Sequence, residues 1–172
     1  MMSEKRRNRM TKDTVPEGFG VSMALVDLLP VLFFGLSAMT AGRLFHSALF
    51  VAGALVCLLS GVVKVLWKLI AAVSRRNIWP MFVQMRILLP LGFALMLAAL
   101  IADRAKLSFP TMLAGLTCFP ACVFFAAGAL GMTLMLVFTF CRDSSDARVN
   151  WQEQTVNAAA QLCILIGLLL SR

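Results

Sequence analysis

From Leu107 to Cys141 the chain runs 35 residues without one charged side chain. In a chain of 172 residues no folded interior is large enough to hide so long an apolar run, and a lipid bilayer accepts it. Further apolar runs flank it on both sides. The composition agrees, at 60% apolar and 14% charged, with a mean hydropathy of +0.88. Soluble domains hold about half apolar and about a quarter charged residues.

A helical span needs about 20 apolar residues to cross about 30 Å of hydrocarbon. By that ruler the chain holds five, at about 19–41, 45–72, 79–102, 109–141 and 149–170. The alternating short segments of a transmembrane barrel are absent from the sequence. The expected fold is therefore an all-α, polytopic transmembrane helical bundle of five spans, with six as the alternative. It forms a single membrane domain, 19–172, behind a basic tail, 1–18. The first span is too long for the apolar core of a signal peptide and reads as retained. Short polar links are expected at Gly42–Arg43, at Ser74–Asn77, at Asp103–Ser108 and at Arg142–Arg148.

The fourth run sets the count. As one straight helix, Pro110 to Cys141 would be about 48 Å long, well beyond the membrane. Pro120, Gly128 and Gly131 lie inside it. A single bent helix is the preferred reading. Two half-helices of about 15 residues each would be too short to span.

The net charge of +8 gathers beside spans. Lys5, Arg6, Arg7, Arg9 and Lys12 crowd the N-terminal tail with no aromatic residue between them to stack on bases, so anionic lipid headgroups, not nucleic acid, are the expected partner. With the N-terminus in the cytoplasm, twelve of the sixteen Lys and Arg fall inside, and Arg43, Arg104, Lys106 and Arg172 fall outside. Trp67, Trp79 and Trp151 then share the inner interface, and the C-terminus lies outside. The expected location is the cell (inner) membrane. Leu28–Pro30 and Leu88–Pro90 form a faint sixty-residue echo, of the kind parallel repeats leave in transporters.

Ionisable residues inside spans are costly and mark candidate sites. Asp27, Lys64, Arg86 and Glu153 qualify, one on each of four spans, all near the inner edge, with charges that sum to zero. Glu153, Asn157 and Gln161 follow at helical spacing and line one face of the last span. These six residues are the expected ligand- or ion-binding set, facing the cytoplasm. The competing reading is structural: Lys64, Lys68 and Arg86 reach the headgroups, Glu153 sits at a helix N-terminus, and Asn157 and Gln161 hold helices together.

Neither a catalytic constellation nor a metal cluster is legible in the sequence, and no cofactor is expected. Cys118 and Cys122 share a helix face without a nearby His or carboxylate, and the five cysteines read as small apolar filler. His46, the one histidine, reads as an interfacial residue. The expected function is a small transporter or solute-binding membrane subunit. The alternative is a non-catalytic accessory or scaffold subunit, with a membrane-protein partner or a second copy. Small-residue faces at Gly53–Gly61 and Gly128–Gly131 suit either.

Overall fold

The computed structural model describes residues 20–106, 108–141 and 147–171. The basic tail and most of the Arg142–Arg148 link lie outside them. Seven α-helices and a short 3-10 turn make up the described residues, with no strand among them. They are α1 Val21–Phe45, α2 Ala48–Ser74, α3 Trp79–Val83, α4 Met85–Ala102, α5 Phe109–Thr117, α6 Ala121–Cys141 and α7 Ala147–Leu170. Five stretches are long and apolar enough to cross a membrane: α1, α2, α3 with α4, α6 and α7.

The chain is an integral, multi-pass, all-helical protein, because lipid offers backbone groups no partner and a helix satisfies its own. Pro30 and Pro90 nevertheless sit inside α1 and α4. Each lacks an N–H, so the carbonyls of Val26 and Arg86 lose their helical donors.

Three boundaries differ from the sequence reading. Gly42 and Arg43 lie inside α1, and the turn falls instead at His46 and Ser47, where His46 adopts φ 45°. Glycine did not mark the turn because Gly42 is needed as packing space, beside Val51 on α2. The third span is stepped at Gln84, between α3 and α4.

The fourth run is neither one bent helix nor two equal halves. The helix stops at Thr117, and residues 118–120, with a cis Phe119–Pro120 bond, separate short α5 from full-length α6. α5 is only nine residues, about 13 Å, and largely exposed, so only α6 spans. Ser108 caps α5 by position, but its hydroxyl pairs with Thr111 Oγ1 at 2.7 Å and not with a backbone N–H.

The spans pack in the order α4, α2, α1, α7, α6. α1 is the most enclosed, and α4 and α6 form the outer flanks. Bilayer helices gain no hydrophobic drive from meeting each other, so close packing must hold them. Gly53 on α2 and Gly92 on α4 meet backbone to backbone: a methyl added at Gly53 would lie 2.7 Å from the Gly92 carbonyl oxygen. Gly128 and Gly131 give α6 the same close approach to Ala160 and Ile164 on α7. Gly53 and Gly61, read as one small face, serve two neighbours: Gly61 meets Val31 on α1.

At the end where α1 begins, here called proximal, Trp67 and Met23 pack with Met81, Phe82 and Trp151. Trp67 Nε1 donates to Asn77 Oδ1 at 2.9 Å. At the distal end Ser47 caps α2 by accepting from Phe50 N at 3.1 Å, and its hydroxyl donates to Asp103 Oδ2 at 2.5 Å. Lys106 Nζ lies 2.7 Å from Asp103 Oδ1. This clasp ties the α1–α2 turn to the end of α4. The Lys106 ammonium, and then the Ser47 hydroxyl, hold the Asp103 carboxyl below its ordinary range.

Two outcomes are expected. Gly92→Ala should cost about 1–3 kcal/mol through overpacking, read as a lower Tm in detergent, and Gly61→Ala, which meets only a side chain, should cost less. The clasp should contribute fully above the ordinary carboxylate range and be lost as pH falls through the depressed value of Asp103. Asp103→Asn should remove that acid-side dependence of Tm.

Candidate functional site

Asp27 lies on α1 one turn before Pro30, turned away from lipid and 2% exposed. A short carboxylate so placed cannot reach headgroup water, so cations must come to it. α2 supplies two, one helical turn apart. Lys68 Nζ stands 3.1 Å from Asp27 Oδ2, and Lys64 Nζ stands 3.4 Å from Asp27 Oδ1. Lys68 is as buried as Asp27, whereas the Lys64 side chain keeps 26% exposure.

α7 completes the arrangement. Lys68 Nζ also donates to Asn150 Oδ1 at 2.9 Å. Glu153, one turn on and 6% exposed, adds a carboxylate whose charge attracts Lys68. Two acids and two bases thus meet at the proximal third of the three inner spans, and their charges cancel.

The polar character continues sideways. Ser60, one turn from Lys64, is fully buried, and its carbonyl accepts from Gln84 Nε2 at 3.1 Å at the step in the third span. Ser60 Oγ, Gln84 Oε1 and Gln154 Oε1 are buried without a hydrogen-bond partner among the described residues. The clefts nearby are apolar. The larger, about 230 Å³, runs between α1 and α2 and is lined by Ala24, Leu25, Leu28, Val62, Val65, Leu66 and Leu69. Asp27, Lys68 and Glu153 are packed shut, and Lys64 keeps partial exposure.

Of the six residues picked from the sequence, Asp27 and Lys64 are in direct contact, and Glu153 stands beside them. Arg86 does not join them: it is exposed on α4 and stacks over the Phe82 ring at 5.6 Å. The physical reason is direction. Depth along a helix can be counted in a sequence, but α4 meets α2 through Gly92 and Ala99, and Arg86 lies off that face.

Gln161 turns to α6, where its Nε2 lies 3.6 Å from Met132 Sδ, and Asn157 is half-buried between. The stripe therefore begins at the charges and runs away from them along α7. Lys68, Asn150, Ser60 and Gln84 were missed. Lys68 had a usable signal: it repeats Lys64 at i+4, and two snorkelling lysines on one apolar helix face are redundant.

No protein-family model matches the chain, and neither a curated protein nor a solved structure matches it.

Removing one member of a buried ion pair leaves the other uncompensated, at a typical cost of about 3–5 kcal/mol, whereas replacing both with apolar groups is often near neutral. Asp27→Ala should therefore lower stability by about that amount. The pair Asp27→Leu with Lys68→Met should recover most of it, leaving Lys64 to extend toward the headgroups. Thermal unfolding of the three proteins in one detergent measures this.

Proposed function

We propose that the chain is a small transporter or solute-binding membrane subunit, and that the Asp27–Lys64–Lys68–Glu153 network is its working element. The observation that carries this reading is Asp27, a carboxylate 2% exposed inside a membrane span and shared by two lysines. Such groups are costly in lipid and are typically kept for ion, proton or solute handling.

The surplus acceptors support it. Polar groups that served only to hold helices together would be expected to saturate one another, and Ser60 Oγ, Gln84 Oε1 and Gln154 Oε1 find no hydrogen-bond partner among the described residues. The network carries no net charge as it stands, so protonation of a carboxylate, or entry of a small ion, would unbalance it and separate the lysines. Pro30, one turn from Asp27, and the step at Gln84 are breaks at which two spans can yield. In the proposed orientation the N-terminus is cytoplasmic and the network opens inward.

A specific observation favours the second reading. The outer spans are largely exposed, and the two clefts between α1 and α2 are apolar, so among the described residues neither cleft offers a polar route. An accessory subunit held against another membrane protein would have this form, and would carry the ion network as a joint.

The Asp27→Leu, Lys68→Met protein separates the two. Purified wild type is screened by thermal stabilisation against sodium, chloride, inorganic phosphate and mixed amino acids, and whichever stabilises it is then offered to proteoliposomes. The expected outcome is stabilisation and uptake in wild type and neither in the folded double variant. Wild-type uptake no greater than that of protein-free liposomes overturns the transport reading, and equal uptake above that background by both proteins overturns the role given to the network. A stoichiometric membrane partner retained by both, with no solute response, establishes the accessory one.

A further inference from the structure

Arg86 presents a second charge problem, which the network does not solve. It lies seven residues beyond Trp79, about 10 Å along the span, with its side chain exposed. No carboxylate among the described residues pairs with it: Asp27 is taken by Lys64 and Lys68, Asp103 by Lys106 and Ser47, and Glu153 belongs to α7 beside Lys68. Its guanidinium carbon lies 5.6 Å from the centre of the Phe82 ring, which itself stacks against Trp79 at 5.3 Å and Trp67 at 5.0 Å. That aromatic pile gives the guanidinium a ring face to rest on toward the proximal end of the span.

The surface beyond Arg86 is apolar and open. At helical spacing, Pro90, Leu97 and Ile101 fall within about one narrow stripe continuing from Arg86, and all three are exposed, Ile101 at 72%. A cation about 10 Å into the span, on a side chain long enough to reach the headgroups, above an unbroken apolar track has the outline of a phospholipid: phosphate at one end, acyl chain along the helix.

We infer that Arg86, backed by Phe82, binds the phosphodiester of an anionic phospholipid whose acyl chain lies along α4 past Pro90, Leu97 and Ile101. The planar guanidinium can meet phosphate oxygens with two parallel N–H donors while its face stays on the ring. An anionic lipid is favoured over a zwitterionic one because no carboxylate among the described residues balances the guanidinium. The site is separate from the Asp27 network and stands whether or not that network transports anything.

The test is lipid retention by the full chain. Protein in mixed micelles of phosphatidylglycerol and phosphatidylcholine is released intact into a mass spectrometer, and the bound lipids are counted. Wild type should keep phosphatidylglycerol in preference. Arg86→Gln should reduce that preference about tenfold, the scale of a lost charge-assisted hydrogen bond. Arg86→Lys, which keeps the charge but loses the fork and the stacking, should fall between the two. Unchanged helical circular dichroism and unchanged elution confirm that the variants fold. Equal preference in wild type and Arg86→Gln overturns the site. So does displacement of the lipid by inorganic phosphate at equal concentration, which would make a soluble anion the ligand.

Discussion

A carboxylate that cannot reach water governs the centre of this protein. Asp27 has a side chain too short to leave the bilayer, and α1 is the most enclosed span. Its charge is tolerable only if cations are held against it, and both come from α2. Lys68, once committed to Asp27, also needs an acceptor, and α7 supplies Asn150. The order α2–α1–α7 in the middle of the row thus follows from one chain of electrostatic obligations. The two distances, 3.1 and 3.4 Å, are those of a carboxylate divided between two ammonium groups.

The outer spans obey a different rule. Among the described residues no ion pair joins α4 to α2 or α6 to α7. Both meet their neighbours through missing side chains, Gly53 against Gly92 and Gly131 against Ala160. Close backbone approach gains dispersion contacts that lipid tails do not match so well. The ends are then pinned by polar clasps in the interfacial zones, where water makes hydrogen bonding cheap to arrange: Trp67 to Asn77 proximally, and Ser47 to Asp103 and Lys106 distally. Electrostatics orders the middle, steric fit adds the flanks, and the interfaces set the register.

This division explains what was legible in the sequence. The five spans were readable because hydrocarbon thickness imposes a length, and length survives any packing arrangement. Asp27 and Lys64 were readable as partners because both sat at the same depth with opposite charge. Arg86 had the same depth and was assigned to the same site, yet depth says nothing about which way a helix faces. Facing is set by Gly92, whose role appears only once Gly53 is found opposite. Lys68 was hidden for the converse reason: beside Trp67 it looked like a headgroup anchor, and only its proximity to both α1 and α7 buries it. The break before α6 was half visible in Pro120, but the unequal division into nine and twenty-one residues was not.

Asp27 and Arg86 are two answers to one problem. Each is an ionisable group within a membrane span, and neither can stand alone in hydrocarbon. The carboxylate is short, so its countercharge must be brought by the protein, and the result is a closed, neutral set of side chains. The guanidinium is long and planar and lies on the outside of a flanking helix, where no carboxylate among the described residues pairs with it, and the countercharge proposed for it comes from the surroundings. A closed internal pair resists exchange until something protonates or replaces a member. An external one exchanges with the anionic lipids that diffuse past. The first therefore suits a device that changes state, and the second suits an anchor that holds α4 against the bilayer while it does so. Because Gly53 on α2 meets Gly92 on α4 backbone to backbone, a shift of α2 on breaking the Asp27 pairs would be passed to α4 directly at that contact.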